Sequence, residues 1–295
     1  MFKNKVLYAL INIACAAIWN SAFAADNLTI NVGAEYSSGK YGGAERTSIA
    51  GVPVSAKYTA GPLTLRMSVS WLSISGTGVI IPSGIGGIGS SSSGSGSSGG
   101  SVGVFGCAAD NRSGARKPED NGPCATTIGA GAGARRTEQG FGDVNAAVTY
   151  NAITSKGLTM DITGKVKLPT ASDTRGLGSG KTDYALQVEA EQAVGKGYIN
   201  GGIGYKWLGD PTGISLRNVV YGSIGGGFKL SGDTTIGVAY DTASAARSGG
   251  PIPQELSFYV SQSMSKNIKL NGNIYKGLSN GSPDWGAGVG LGYTY

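Results

Sequence analysis

The sequence predicts an all-β fold, a transmembrane antiparallel β-barrel of about twelve strands with both termini in the periplasm. Apolar and polar residues alternate with a period of two along most of the chain, which is the pattern of half-exposed strands. Short and long connections alternate between the predicted strands, as the two ends of a membrane barrel require. The 295-residue chain also holds 52 glycines and only 14% charged residues, a composition more typical of a membrane barrel than of a soluble enzyme.

Residues 1–24 have the pattern of a signal peptide. Lys3 and Lys5 precede an apolar run, and an Ala-Phe-Ala cleavage pattern ends at Ala24. We therefore expect export, with residues 25–295 forming an outer-membrane barrel. No later run approaches the roughly 20 apolar residues that a membrane-spanning helix needs.

Two cysteines, Cys107 and Cys124, remain after this cleavage, and they flank a polar segment. An even pair in an exported protein predicts one disulfide that closes a loop. A metal site would need more ligands, and the sequence contains no histidine. We expect no metal and no cofactor.

The alternative to cleavage after Ala24 is a lipoprotein signal with Cys15 as the lipid-bearing residue. The sequence before Cys15 lacks the branched residue that such signals usually have three positions upstream.

The alternating segments are mostly about 9 to 11 residues long, enough to cross a bilayer at a tilt. Connections after even-numbered segments are short and those after odd-numbered segments are long, the longest being residues 74–141. Long loops outside and short turns inside place both termini in the periplasm. The predicted strands are residues 28–36, 52–59, 63–73, 142–151, 158–168, 183–194, 198–207, 217–230, 233–241, 255–264, 267–276 and 285–295.

One face of each predicted strand is apolar and the other is polar, and the apolar face is expected to contact lipid. Basic and acidic residues are nearly balanced on the polar face, which predicts neither strong anion nor strong cation selectivity. Two interpretations are open: ion pairs across the lumen, or a ladder of groups that selects solutes. The candidate lumen-lining residues are Glu35, Lys57, Arg66, Asp161, Lys165, Lys167, Glu189, Glu191, Lys206, Lys229, Asp241, Glu255 and Lys269.

Aromatic residues on the apolar face fall near the ends of the predicted strands, which indicates two girdles at the headgroup zones. A final aromatic residue after such alternation is typical of the signal that the barrel-assembly machinery recognises. We therefore expect two partners, the outer-membrane lipid and, through Tyr295, the barrel-assembly machinery. The outer girdle comprises Tyr36, Trp71, Tyr184, Tyr205, Trp207, Tyr240 and Trp285, and the inner one comprises Tyr58, Tyr150, Phe228, Tyr293 and Tyr295.

Two glycine-rich features leave alternatives open. Inward glycines, such as Gly202, Gly204, Gly225 and Gly227, indicate either curvature of the wall or close approach by a loop or solute. The Gly/Ser-rich residues 81–106 indicate either a flexible surface loop or a constriction in the barrel mouth.

Three segments resemble an outer-membrane family labelled for the meta-pathway of phenol degradation. They are GFGDVNAAVTY at 140–150, KVKLPTASDTRGLGSGKTDYALQ at 165–187 and GYINGGIGYKWLGD at 197–210. The resemblance implies an outer-membrane channel for small organic compounds, including aromatic ones. Ala171 stands where glycine is common in that family, and the Gly/Ser loop with its cysteine pair is not a family feature.

The sequence also excludes several functions. Without histidine the Ser-His and Asp-His arrangements of hydrolases cannot form, so no catalytic residues are predicted. The formal charge of +6 is spread along the chain, which argues against nucleic-acid binding. We predict a passive channel for small solutes. The alternative is a barrel that displays its long loop for adhesion, or an amyloid-type barrel that exports a polypeptide.

Overall fold

The computed structural model describes most of the predicted barrel. The expected signal peptide and the Cys107–Cys124 disulfide lie outside the described residues. Within the described ranges, the chain has no helix of the length and apolarity needed to cross a membrane. The ranges are residues 27–41, 45–76, 80–83, 103–106, 136–211 and 215–295.

Fifteen β-strands are present in the described part of the chain. In chain order they are β1 (Leu28–Gly39), β2 (Thr47–Ala60), β3 (Leu63–Gly76), β4 (Ile80–Ser83), β5 (Gly103–Gly106), β6 (Arg136–Phe141), β7 (Val144–Ser155), β8 (Leu158–Leu168), β9 (Asp183–Val194), β10 (Gly197–Trp207), β11 (Val219–Lys229), β12 (Thr234–Ala243), β13 (Gln254–Ser263), β14 (Ile268–Gly277) and β15 (Trp285–Thr294).

Thirteen of these strands form one antiparallel sheet that closes on itself. β1 pairs with both β2 and β15, and the ring is completed where β2 pairs with β3 and β3 pairs with β6 and β7. β6 and β7 are two halves of one strand position, separated at Gly142 and Asp143. The Gly142 amide still donates to the Ser70 carbonyl at 2.8 Å across this break. The barrel therefore has twelve strand positions, as the sequence predicts.

Both described chain ends, Leu28 and Tyr295, lie at one end of the barrel, which we call the terminal end. The longer connections, such as residues 169–182 and 244–253, lie at the opposite end, which we call the loop end. The tight turns at the terminal end include positive φ angles at Gly61, Lys156 and Gly195, where the chain reverses between strands.

The strand predictions are confirmed in number and differ in detail at the loop end. β1, β2 and β3 extend further toward the loop end than predicted, and the predicted strand 142–151 is the longer β6–β7 unit. Residues 74–141, expected to be one loop, contain the end of β3, all of β6 and the small hairpin of β4 with β5, which the sequence analysis did not predict.

The apolar face of the barrel points outward. Along β3 the side chains of Leu65, Met67 and Trp71 are exposed, and along β8 Ile162 is exposed between the buried Asp161 and Thr163. An apolar exterior around a polar interior is the reverse of a water-soluble protein and is the arrangement that hydrocarbon solvent favours.

Aromatic rings mark both edges of this apolar surface. Trp71 and Trp207 are exposed near the loop end, whereas Tyr150, Phe228 and Tyr293 are exposed near the terminal end. Rings at these two levels match the headgroup zones on either side of a bilayer. Ring pairs are Tyr36 with Trp285 at 5.3 Å between centroids, Tyr205 with Trp207 at 4.8 Å and Tyr293 with Tyr295 at 4.8 Å.

Two neighbouring residues of β7 test this orientation. Val148 points outward and is 50% exposed, so Val148→Lys should lower the free energy of unfolding by about 2–4 kcal/mol in lipid vesicles. Thr149 points inward, so Thr149→Lys should cost only about 1 kcal/mol, mainly for the lost 2.9 Å hydrogen bond to Thr163. Urea titrations followed by tryptophan fluorescence measure the free energy of unfolding of both variants. Equal losses would contradict the assigned faces.

Candidate functional site

The barrel interior is the candidate site, since it carries the charged side chains of the strands. All thirteen candidate lumen-lining residues occupy the inward positions of their strands, alternating with the outward apolar ones. They differ in environment: Asp161, Lys167 and Lys206 are buried within the barrel, whereas Lys229 is exposed near the terminal end.

Strand register aligns the basic side chains of one part of the lumen. Lys57 pairs with Arg66, and Arg66 pairs with Ala147. The same line of pairing continues through Lys165 to Lys206. We call it the basic row, and its members in order around the barrel are Thr29, Lys57, Arg66, Ala147, Lys165, Ala185, Lys206 and Val219. It includes four basic residues and no acidic residue.

A second line of pairing aligns acidic side chains. Asp161 pairs with Glu189 on the neighbouring strand, and further around the barrel Asp241 pairs with Glu255. We call this line the acidic row, and its members in order are Asn151, Asp161, Glu189, Gly202, Ser223, Asp241, Glu255 and Gly277. It includes four acidic residues and no basic residue.

An uncharged line runs between the two, one inward position from each. Thr149 and Thr163 share a hydrogen bond of 2.9 Å, and Tyr221 donates to Gln187 at 3.1 Å. This neutral row contains Thr59, Thr64, Thr149, Thr163, Gln187, Gly204, Tyr221 and Ala243. On β8 the sequence Asp161, Thr163, Lys165 therefore steps from the acidic to the basic row over about 13 Å of strand.

Basic side chains reach toward the neutral row. The Lys165 ammonium donates to the Gln187 carbonyl oxygen at 2.6 Å, and the Lys206 ammonium lies 5.6 Å from the centroid of the Tyr221 ring. The hydroxyl and amide of Tyr221 and Gln187 thus connect two members of the basic row. This network helps to hold the two ammonium groups in place.

A second region of the interior is filled by tyrosine rings that lie against glycines. A Cβ added at Gly204, Gly227, Gly237 or Gly286 would come closer than 3.0 Å to the tyrosine on the adjacent strand, an approach that real Cβ atoms do not make. Among the glycines for which curvature or close approach is predicted, Gly204 and Gly227 lie against a neighbouring ring, whereas a Cβ at Gly202 or Gly225 would meet other atoms of the adjacent strands. The register pairs are Gly204 with Tyr221, Gly227 with Tyr198, Gly237 with Tyr259 and Gly286 with Tyr275.

Two of these rings meet across the interior. The hydroxyls of Tyr198 and Tyr259 are 2.6 Å apart, and the Tyr259 hydroxyl also lies 3.2 Å from the Gly226 carbonyl. The rings lie over β11 and β12, whose inward glycines leave the space for them. This region of the wall is therefore lined by ring edges and hydroxyls rather than by charged groups.

At the loop end, a buried cluster ties four segments together. The Lys167 side chain is fully buried, with its ammonium 2.8 Å from Asp183 Oδ2, 3.4 Å from Asp143 Oδ2 and 2.6 Å from Ser179 Oγ. We call these four residues the lysine cluster. Lys167, predicted to line the lumen, thus serves as a structural tie.

The outer oxygens of the two carboxylates extend this cluster into the backbone. Asp143 Oδ1 accepts from the Ala171 amide at 3.0 Å, and Asp183 Oδ1 accepts from the Gly209 amide at 2.9 Å. The cluster therefore joins the β6–β7 break, the ends of β8 and β9, the loop at residues 169–182 and the segment after β10. These are the three segments that carry the family resemblance.

The loop at residues 169–182 also covers an apolar part of the inner wall. Leu177 belongs to one buried apolar cluster with Ile49 and Leu72, inward residues of β2 and β3. Arg175 from the same loop donates to Glu138 at 3.1 Å and to the Gln139 carbonyl of β6. The loop thus folds over the mouth of the barrel and is held there from both sides.

Other loop-end segments fold in the same direction. Ala246, from the connection between β12 and β13, is buried with Ala185 and Val219 of the inner wall. Ser282, after β14, accepts from the Gln254 amide at 2.9 Å. These contacts hold both connections against strands of the wall at the loop end.

Sequence analysis missed Asp143, Ser179 and Asp183 as functional neighbours. The quoted motifs contain them, but only the fold brings them around Lys167. Among the described residues, no three Asp, Glu, Cys or His side chains form a group that could hold a metal ion.

Gly237 provides a test of the tyrosine–glycine pairs. Gly237→Ala would force its methyl group into the Tyr259 ring, and we expect the free energy of unfolding to fall by about 1–3 kcal/mol. Gly164→Ala is the matched control, since a Cβ there meets nothing within 4 Å. Urea unfolding of both variants in lipid vesicles gives the comparison. An unchanged Gly237→Ala variant would show that the ring is not held against the strand.

Lys167 provides a test of the lysine cluster. Lys167→Met leaves Asp143 and Asp183 buried without their cation, and we expect a loss of about 3–5 kcal/mol in the free energy of unfolding. Adding Asp143→Asn and Asp183→Asn removes those charges while keeping the oxygens that accept from Ala171 and Gly209, so the triple variant should recover most of the loss. A triple variant as unstable as the single one would contradict this role.

Comparison with known proteins gives a match in fold. No family model matches the sequence, and no curated protein matches it. The crystal structure of the COG4313 outer-membrane channel from Pseudomonas putida F1 is similar with a TM-score of 0.61 and 10% identity, over 93% of this chain and 97% of that chain.

Two further solved barrels are less similar. The KdgM porin has a TM-score of 0.46 and 10% identity, over 90% of this chain and 99% of the porin. The CymD monoaromatic hydrocarbon channel has a TM-score of 0.42 and 12% identity, over 91% of this chain and 87% of that channel. The sheet is closed, its exterior is apolar and its fold matches that of the COG4313 channel. The chain is a twelve-stranded β-barrel of the outer membrane.

Proposed function

We propose that the protein is a passive channel for small polar solutes. The observation that carries the proposal is the lining: acidic, hydroxyl or amide, and basic side chains occupy successive inward positions from the terminal side toward the loop end, as Asp161, Thr163 and Lys165 do on β8. Polar groups that are costly to place inside a membrane protein mark a solute pathway.

The geometry favours small solutes over polypeptides. Twelve strands enclose less space than the 16 to 18 strands of open porins. The inward tyrosines and the loop at residues 169–182 take up part of that space. These features support a solute channel over the alternative of a polypeptide-export barrel, and nothing in them calls for catalysis.

The proposal includes the orientation that the sequence predicts, with both termini in the periplasm and the loop end outside. The resemblance to the family labelled for phenol degradation supports small organic compounds as the cargo. Aromatic molecules that bear charged or hydroxyl groups fit the polar lining, whereas an unsubstituted hydrocarbon would find few apolar contacts along the rows.

Conductance measurements test the channel. The purified protein in planar lipid bilayers should give discrete, ohmic conductance steps, because polar side chains line the interior between the two ends. Protein that inserts fully folded and gives no steps would contradict the proposal.

The loop at residues 169–182 should restrict this conductance. Leu177→Ser removes the apolar contact that holds the loop against β2 and β3, so the single-channel conductance should rise. Leu278→Ser is the matched control, since Leu278 is 52% exposed in another loop-end connection. Equal conductance in the two variants would show that this loop does not limit the path.

A further inference from the structure

The sorting of charge inside the barrel points to a solute class. A lumen stabilised by its own ion pairs would place opposite charges next to each other. Here the directly paired inward residues include Lys57 with Arg66, Asp161 with Glu189 and Asp241 with Glu255. Like charges directly opposite each other on neighbouring strands destabilise a sheet. Cross-strand pairing within each row therefore costs stability rather than supplying it.

The two rows run side by side from β7 to β11. On β8 and β9, and again on β10 and β11, the acidic row stays two inward positions toward the terminal end from the basic row. Because strands in a barrel tilt against its axis, lines of pairing wind around the lumen. A solute that moves between the two ends thus passes along a basic line and an acidic line that keep a constant order.

The acidic row also has unused hydrogen-bonding capacity. Ser223 Oγ and Asp241 Oδ1 are buried, and neither has a hydrogen-bond partner within the described part of the chain. The two residues are paired across β11 and β12. Buried polar atoms without partners are costly, so their presence together on a proposed solute path indicates groups kept for a ligand that donates hydrogen bonds, as an ammonium group does.

Net charge separates the possible solutes. The formal charges of the four basic and four acidic residues on the rows cancel, so a solute with a single charge gains attraction from one row and repulsion from the other. A solute that carries both an anionic and a cationic group gains from both rows when it is oriented across them. An uncharged solute gains from neither in this way.

We propose that the channel prefers small zwitterions of the amino-acid type, with the carboxylate directed to the basic row and the ammonium to the acidic row. This inference rests on the proposed channel function and specifies its cargo. The neutral row of hydroxyl and amide groups lies between the two and can contact the middle of such a molecule.

Solute flux into proteoliposomes tests the preference. Glutamine and arabitol are similar in size, and only glutamine is zwitterionic. In liposome-swelling assays glutamine should enter at least about threefold faster than arabitol, since charged groups raise the local concentration of a solute that bears complementary charges. Equal rates of entry, or faster arabitol, would overturn the inference while leaving the channel function in place. Absence of entry for every solute and of ionic conductance would overturn both.

Neutralising one row at a time tests the mechanism. Lys57→Gln with Lys165→Gln should make the channel cation-selective, and Asp161→Asn with Glu189→Gln should make it anion-selective, so the reversal potentials in a KCl gradient should have opposite signs. Each pair should also lose the advantage of glutamine over arabitol. Lys196→Gln with Lys266→Gln, in turns at the terminal end, is the control of equal charge change and should keep that advantage. Shifts of the same sign in the two row variants would contradict the two-row arrangement.

Discussion

The structure depends on one constraint: within hydrocarbon, every backbone amide and carbonyl must find a partner in the protein. Closure of the sheet, with β1 between β2 and β15 and β3 against both β2 and the β6–β7 unit, removes all edges from the ring. Even the break at Gly142 is bridged by the 2.8 Å hydrogen bond to Ser70. The constraint fixes the outer face as apolar and leaves the inner face free to carry polar groups.

The side chains on the inner face differ between the two sides of the lumen. From β2 to β10 the inner wall carries the basic row and the neighbouring threonines, whereas from β10 to β15 glycines on one strand receive tyrosine rings from the next. The tyrosine side is built for close packing, and glycine positions become contact sites for rings. Like charges lie opposite one another on both sides, as Lys57 with Arg66 and Asp241 with Glu255 show. This arrangement is unfavourable for folding and is best understood as a surface for a solute.

Much of the fold could be predicted because lipid imposes a simple period of two, and the strand count and inward positions followed from it. The exceptions have a common cause. At the loop end, Ile49 and Leu72 are apolar yet point inward, because the loop bearing Leu177 covers them. The alternation is lost there, and the predicted strands stop early. The hairpin of β4 and β5 is too short to show a period.

The charge rows could not be predicted from sequence. Strand register decides which side chains lie opposite each other, and a different register would have mixed Lys165 and Lys206 with the carboxylates of the neighbouring strands. The role of Lys167 was hidden for a similar reason, since Asp143 and Asp183 lie on either side of it in the chain and meet it only in the closed barrel.

The most direct test of the central claim, that hydrocarbon surrounds the apolar face and water reaches the polar one, is a nitroxide scan along β8 (Leu158–Leu168). Single cysteines would be labelled one at a time in a background with Cys107 and Cys124 replaced by serine. In lipid vesicles, nitroxides at Met160, Ile162 and Gly164 should collide often with oxygen and rarely with a water-soluble nickel complex. At Thr159, Thr163 and Lys165 oxygen access should fall. Oxygen access that varies smoothly along the strand, without this alternation, would contradict the account.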